Sequence, residues 1–464
     1  MFFGFLMIIN RTSFRMIDNA LYDKSKGPVV FFINSKHIYS PHQYTFLLKT
    51  IYLHAKSFQK ELYCFKGTHE SFIRALKEDA ELSGTVYIDE TDDPKQWGEF
   101  DSALAKSFDL RRVSTLTLID WKLHSVKKIF ENTYYPQVIS FKKFLDPIFD
   151  LEKSIKLYSD ISCYKDAVSK HYTKPQCPKF KKKSTGWMTY IELEKHITET
   201  SASAKTSART NPKSLDFPLI KSNEDLDTQV AHYFDKTLKD LRSDSWYKPH
   251  TCADIELTDT KTKGDQNTSR CSPLFALGLL SPSLAYFLWS GSTYRMPSDS
   301  KIGSATDQLI WREFFHACCY LKGYWGPTSI GTGSFKWKKN KEGLEKWKSG
   351  ETGRHDVDVA MKRLTQSGWI HHLQRHVVAD YLTRGHLQVD WKYGEDWFRR
   401  TLIDHDAAVN RANWLGLSAS AFSSKQKVYH YNYDNYIQRH CNKQTRKKSN
   451  NTKKHVNTTR KHNM

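Results

Sequence analysis

The segment Gly368-Trp369-Ile370-His371-His372-Leu373-Gln374-Arg375-His376 sets His372 and His376 four residues apart, on one face of a helix, with Arg375 beside them. Three chemistries compete for such a pair. Zinc is one, but no Glu intervenes as in HExxH and no third ligand is evident nearby, so no metal site is expected. Two satisfied structural histidines are the second and the usual outcome. The third is proton transfer, since imidazole titrates near neutral pH. Further along, Leu402-Ile403-Asp404-His405-Asp406-Ala407-Ala408-Val409-Asn410 runs on to Trp414. Asp404 suits a buried arginine such as Arg375, because burial of either charge demands the pairing. Asp404 and Asp406 equally suit an acidic helix start that compensates the macrodipole.

Two more segments carry candidate binding chemistry. Thr268-Ser269-Arg270-Cys271-Ser272-Pro273 places hydroxyls, backbone N–H groups and a guanidinium at the opening of an apolar helix. That is an anion seat, although helix caps use the same residues. In Gln308-Leu309-Ile310-Trp311-Arg312-Glu313-Phe314-Phe315, the residues Gln308, Trp311, Arg312 and Phe315 share one helical stripe. A polar, aromatic and cationic stripe suits an aromatic ligand that carries phosphate, whereas core packing accounts only for Trp311 and Phe315.

The elements that position these residues differ between the two halves of the chain. Strand patterns at Phe2–Ile9, Val29–Ile33, Leu62–Phe65, Thr85–Ile88 and Thr115–Ile119 alternate with helical patterns at Tyr44–Lys60, His69–Asp79 and Gln96–Phe108. The alternation predicts βαβ units, a Rossmann-like α/β domain with a parallel sheet over residues 1–130. No phosphate-loop motif follows any of these strands. Residues 131–230 are rich in Lys, Ser and Thr and predict a long, partly disordered linker. From 231 to 440 the pattern is all-helical, as at Val357–Leu364 and Gly368–Leu382, with Gly385 as the stop. Residues 441–464 form a basic tail expected to be disordered, a nuclear-import signal, a DNA-affinity arm or a solvated end.

The formal charge of +21 draws polyanions, nucleic acid first and an anionic membrane surface second. The cysteines Cys64, Cys163, Cys177, Cys252, Cys271, Cys318, Cys319 and Cys441 lack metal-type spacing and point to a reduced compartment. Met1–Ile9 is apolar but lacks a basic region and a cleavage site, and no stretch reaches membrane-spanning length, so a soluble protein is expected.

The order and spacing of the four segments resemble the FAD-binding domain of the photolyase/cryptochrome family, in particular its (6-4) photolyase and animal-type cryptochrome branch. TSRCSP, containing Cys271, is similar to the family's TSxLSP turn, which assigns Thr268, Ser269, Arg270 and Ser272 to the FAD phosphates. QLIWREFF resembles the helix along the flavin, with Gln308, Trp311, Arg312 and Phe315 as cofactor contacts and Gln308 and Trp311 also toward a lesion pocket. GWIHHLQRH is close to WIHHLARH, LTRGHLQVDW to LTRGDLWISW, and Asn410 falls where photolyases set an Asn against flavin N5. Arg375, Asp404 and Asp406 complete the implied cofactor set. His372 and His376 then face the lesion as the proton-transfer pair, His372 also touching the cofactor, Asn410 joins them as a catalytic residue, and Trp414, Trp391 and Trp337 fall at the three electron-relay positions. More loosely, NRTSFRMIDNAL at 10–21 is similar to the family's FRKGLRLHDNPAL, and residues 116–145 to a later front-half segment.

The resemblance implies a monomeric, light-driven lyase, with FAD as cofactor and UV-damaged DNA as partner, located in the nucleus, with the cytoplasm as alternative. Its lesion would be a pyrimidine dimer of the (6-4) type. The alternative is a cryptochrome, a photoreceptor or circadian regulator that binds clock or signalling proteins. A second, antenna chromophore is left open by the divergent front domain. Two departures bear on the choice. The aromatic expected two residues past Trp414 is Gly416, and the family's TGFPWID reads Thr352-Gly353-Arg354-His355-Asp356-Val357-Asp358.

Overall fold

The computed structural model describes residues 7–118 with short gaps, 184–207, 271–286 except 284, 305–322 and 336–418. Its front part is a six-stranded sheet of order β5-β4-β1-β2-β3-β6. The strands are β1 (Met7–Asn10), β2 (Val29–Asn34), β3 (Cys64–Gly67), β4 (Thr85–Asp89), β5 (Asp109–Val113) and β6 (Trp187–Met188). All neighbours pair in parallel except β6, which runs antiparallel to β3. Helices α1 (Ala20–Lys24), α2 (Pro41–Phe58), α3 (His69–Asp79) and α4 (Pro94–Ala105) are the crossovers.

The apolar runs of β1 and β2 are buried at every position, as befits central strands covered on both faces. Alternation divides their side chains between two cores. Met7, Ile9, Val30 and Phe32 join Phe65, Phe72, Val86 and Phe100 beneath α3 and α4. Ile8, Val29, Phe31 and Ile33 point the other way, into a core that continues through α2 to the helical half.

Two expectations are corrected here. The fifth strand is Asp109–Val113, and Thr115 and Leu118 lie beyond it in irregular chain. Asp109-Leu-Arg-Arg-Val is an edge strand with mostly exposed charged side chains, which hides it from a search for apolar runs. Residues 184–207, inside the expected linker, supply β6 and an 18-residue helix, α5 (Tyr190–Ser207), packed on α2. Asp79 fixes the start of that segment, accepting from Ser184 N at 3.0 Å and from Trp187 Nε1 at 2.7 Å.

The helical half comprises α6 (Ser272–Ala276), α7 (Ala305–Lys322), α8 (Lys341–Ser349), α9 (His355–Ser367), α10 (His372–Asp380), α11 (Trp391–Thr401) and α12 (Ala407–Leu417). Asn340, Asp390 and Asp406 cap the starts of α8, α11 and α12 through their side chains. Gly350 and Gly368 end α8 and α9 in the left-handed conformation, at φ 69° and 70°. The second of the two helical patterns read from the sequence starts at His372 rather than Gly368, and α10 then runs into a π-turn at Tyr381–Gly385.

The halves interlock through backbone as well as side chains. Phe14 and Arg15 N–H donate to Leu277 and Gly278 carbonyls at 3.1 and 3.0 Å. Gln43 Nε2 at the start of α2 reaches the carbonyls of Arg399 and Leu402 at 2.8 and 2.6 Å. Among the described residues no helix is long and apolar enough to cross a membrane.

Candidate functional site

The turn between α11 and α12 brings Asp404 to the start of α6 and the flank of α10. Its Oδ2 accepts from Arg375 Nη2 at 2.7 Å and from Ser272 Oγ at 2.6 Å. Arg375 is further fixed by Nε donating to the Ile370 carbonyl at 3.0 Å. The Asp404 side chain is almost wholly buried, and its Oδ1 has no hydrogen-bond partner among the described residues. An acceptor left so costs roughly 1–3 kcal/mol, a demand that a ligand donor would meet.

A second ionic cluster lies beside the first. On α7, Arg312 is buried, with Nη1 3.2 Å from Glu313 Oε1 and Nη2 3.0 Å from Asp406 Oδ2. His316 Nε2, one turn on, lies 2.9 Å from the same Asp406 oxygen. Burial opposes ionisation of Asp406, but His316 and Arg312 outweigh it and hold its pKa below the usual carboxylate range. Glu313 behaves oppositely. Burial pushes its carboxyl up to about 7, with Arg312 and His316 opposing only in part. Its Oε2 accepts from Leu118 N at 2.8 Å, a contact with the front half.

His372 and His376 do share a face, their ring centroids 6.1 Å apart and nearly perpendicular. Their surroundings differ. His372 is exposed, whereas burial, reinforced by the Arg375 charge, lowers the His376 pKa to about 4. Among the described residues no group of three or more His, Cys, Asp or Glu could hold a metal ion. Asn410 is buried on α12 and donates through Nδ2 to the Glu395 carbonyl at 3.1 Å. Trp414, one turn later, packs edge-on to Phe398 at 5.1 Å and to Trp347 at 6.4 Å. Trp391 is buried beneath the Arg411 guanidinium, 4.6 Å from the ring centroid, and Arg411 is paired with Glu395 at 2.8 Å. Trp337 is half-buried, with Arg384 4.9 Å from its ring.

The structure therefore brings together Ser272, Arg375 and Asp404, and separately Arg312 with Asp406. Cys271 is buried at the N-cap of α6, without a side-chain capping bond. On α7, Trp311 and Phe315 are half-buried and 5.7 Å apart, whereas Gln308 is exposed. Thr268, Ser269 and Arg270 lie outside the described residues. Sequence reasoning passed over Glu313, His316, Trp347, Glu395 and Arg411. His316 could have been found by extending the Arg312 stripe one turn, since 312 and 316 are i and i+4.

A crevice of about 100 Å³ opens elsewhere, at the carboxyl ends of β1 and β2, lined by residues such as Arg11, Trp97 and Arg399 from both halves. That is small beside the roughly 300–1,000 Å³ of ordinary ligand pockets, and no chromophore is assigned to it.

A parallel-sheet domain joined to a helical domain, with Arg–Asp pairs where the helices converge, defines a two-domain protein of the α/β-plus-helical type. Comparison with known proteins agrees. Residues 305–453 match the family model for the FAD binding domain of DNA photolyase. The chain is 38% identical over 165 residues to Cryptochrome-1 of Gallus gallus, covering 34% of this chain and 26% of that protein. It is 37% identical over 177 residues to (6-4)DNA photolyase of Oryza sativa subsp. japonica, covering 35% of this chain and 31% of that protein. The matches thus span about a quarter to a third of these relatives' length. In fold it is similar to a bacterial class III photolyase from Agrobacterium tumefaciens, with a TM-score of 0.58 at 20% identity, covering 94% of this chain and 84% of that one. Residues 305–453 are thus similar to the FAD-binding domain of the photolyase/cryptochrome family, and the chain as a whole shares the photolyase fold.

The residues present fit FAD. Asp404 Oδ1 lacks a donor, and a flavin offers a ring N–H and ribityl hydroxyls. Arg375 supplies fixed positive charge beside that oxygen, as a dinucleotide of net negative charge requires.

Proposed function

We propose that this chain is a light-driven DNA lyase that repairs (6-4) pyrimidine photoproducts. The observation that carries the reading is the division within the histidine pair, one imidazole exposed and the other, 6.1 Å away, kept neutral at pH 7 by burial. FAD, when bound, supplies light absorption and one-electron transfer. The chain's own residues do the rest. Arg375, held by Asp404 and Ile370, anchors the cofactor, and Asn410 faces it from α12. A lesion turned out of the duplex, at an unstacking cost of a few kcal/mol, would meet Gln308 and Trp311 at the rim. His372 exchanges protons with solvent at the mouth, and His376 takes and returns them at the lesion. Trp414, Trp391 and Trp337 carry electrons inward from the surface.

The charge of +21 supports a polyanionic substrate, and the basic segment at 441–464 supports nuclear import. A cryptochrome without repair activity is the second reading. It is favoured by Gly416, exposed on α12, where an aromatic wall of the lesion pocket is missing. The test is irradiation of purified, flavin-reduced protein with duplexes carrying a (6-4) or a cyclobutane lesion. Loss of the (6-4) lesion is expected. Intact lesions alongside normal flavin photoreduction would leave the photoreceptor reading standing.

A further inference from the structure

The middle tryptophan of the series has an ion pair set against its ring. Trp391 opens α11 and is 1% exposed, so water does little to stabilise a charge placed on it. The Arg411 guanidinium, from α12, lies over the ring with its carbon 4.6 Å from the centroid. Glu395 stands one turn past Trp391 on the same face of α11, and its Oε2 lies 2.8 Å from Arg411 Nη1. Both charged side chains are buried. The Glu395 carbonyl also accepts from Asn410 Nδ2 at 3.1 Å, so its backbone and carboxylate hold two successive residues of α12. The other cation near the ring, Lys392, is exposed, with Nζ 6.0 Å from the centroid, and solvent screens it.

A buried arginine needs a counter-charge for folding alone, and Glu395 meets that need. Placement over an indole adds a second effect. While Trp391 is neutral, the negative face of its ring attracts the guanidinium. Once the indole has given up an electron, the same cation repels the positive hole, and away from water that repulsion is strong. A carboxylate in contact with the guanidinium offsets it.

We propose that Glu395 is a positioning residue of the electron relay, its carboxylate neutralising Arg411 and so setting the energy at which Trp391 carries the hole. This deepens the relay reading above and rests on it. In the step concerned, Trp391 gives one electron to the oxidised Trp414 and is left as a radical cation. One electron from Trp337 then restores it. No atom is transferred, and no bond is made or broken.

The test times flavin photoreduction in the loaded protein for wild type, Glu395→Gln, Arg411→Gln and the double variant. Charge predicts an order that packing does not. Glu395→Gln leaves an uncompensated cation over the ring and should slow the rate about tenfold. Arg411→Gln leaves a carboxylate near the hole and should match or exceed wild type. The double variant, neutral on both sides, should return to within about twofold of wild type. High salt should leave this order intact, because the pair is buried. A second readout needs no flavin. Excited indole moves charge across its ring and senses the sign of a neighbour. Trp391 emission, each form minus its Trp391→Phe counterpart, should therefore shift in opposite directions in the two single variants and hold in the double variant. Both single variants slowed alike, or emission shifts of one sign, overturn the proposal. The double variant loses no counter-charge and is the safest to fold, and tenfold slower photoreduction in it overturns the proposal by itself. If Trp391→Phe photoreduces as fast as wild type, the relay reading falls and takes this inference with it. Slow photoreduction in Trp391→Phe without the charge order sinks the inference alone.

Discussion

At the scale of single residues, function turns on how one environment splits chemically identical groups. His376 is neutral through the physiological range because charging it would strand a cation in the interior beside Arg375, whereas His372 faces water. On the repair function proposed above, His376→Ala should lower (6-4) repair about a hundredfold or more, the scale of a lost general acid–base group, while the protein still binds FAD in full yield. Repair per bound flavin is the measurement, and unchanged repair would remove His376 from the proton path. Asp404→Asn probes the cofactor seat. Replacing the carboxylate leaves the largely buried Arg375 without its counter-charge, a loss of roughly 3 kcal/mol, and FAD retention on gel filtration should drop sharply. The Arg375–Asp404 pairing was legible in the sequence, since two buried opposite charges demand each other. Glu313 and Glu395 were not, because nothing in a sequence tells a buried glutamate from a solvated one until a partner arrives from another element. Here those partners are Leu118, nearly two hundred positions away, and Arg411 on the adjoining helix.

Secondary-structure elements fix these groups through a few close approaches. On α11, Gly394 lies against Trp414, and a Cβ added there would stand 2.2 Å from Trp414 Cη2 and 2.7 Å from Leu382 Cδ2. Alanine in a helix ordinarily gains about 1 kcal/mol over glycine, but forcing Trp414 and Leu382 aside costs roughly 1–3 kcal/mol or more. Both rings and chains there are buried, so the second effect wins. Gly394→Ala should lower the urea midpoint and, by displacing Trp414, slow flavin photoreduction; a more stable variant with normal photoreduction would contradict this packing. Elements were legible where burial is written as apolar pattern. The helices 41–58, 69–79 and 94–105 and the strands at 29–34 and 85–89 match their expected positions within a few residues. The edge strand Asp109–Val113 was missed because its residues face solvent. The helix Tyr190–Ser207 was missed because ETSASAKTS carries the composition of a linker, and its order comes from packing on α2. Local composition cannot report a tertiary contact.

The whole molecule is held at its centre by a carboxyl whose protonation counts toward folding. Glu313 lies fully buried on α7 and accepts from Leu118 N, so it joins the helical half to the end of the sheet domain. The groups that face it are Arg312, His316 and Asp406. Its folded pKa of about 7 exceeds its ordinary 4.5, so between those values the folded protein retains a proton that the unfolded chain releases. Stability from this group is accordingly full below pH 4.5 and falls as the pH rises to about 7, by at most roughly 3 kcal/mol. Two histidines, His54 fully buried and His376 half-buried, act in the opposite sense. His54 and His376 have folded values of about 3 and about 4, below the ordinary 6.5, so the unfolded chain binds the extra protons and stability rises with pH up to 6.5. Asp406, with its lowered pKa, loses its contribution only below about 3.8 and stays outside this window. With two histidines against one carboxyl, the wild type should still gain stability from pH 4.5 to 6.5, at about half the slope it would have without Glu313. Glu313→Gln keeps an acceptor for Leu118 N and removes only the titration. Its stability should climb with pH across the window, and its difference from wild type should grow by roughly 2–3 kcal/mol, read from urea unfolding at half-unit steps. Parallel curves would mean that Glu313 is ionised throughout, and that Arg312 and His316 together outweigh its burial.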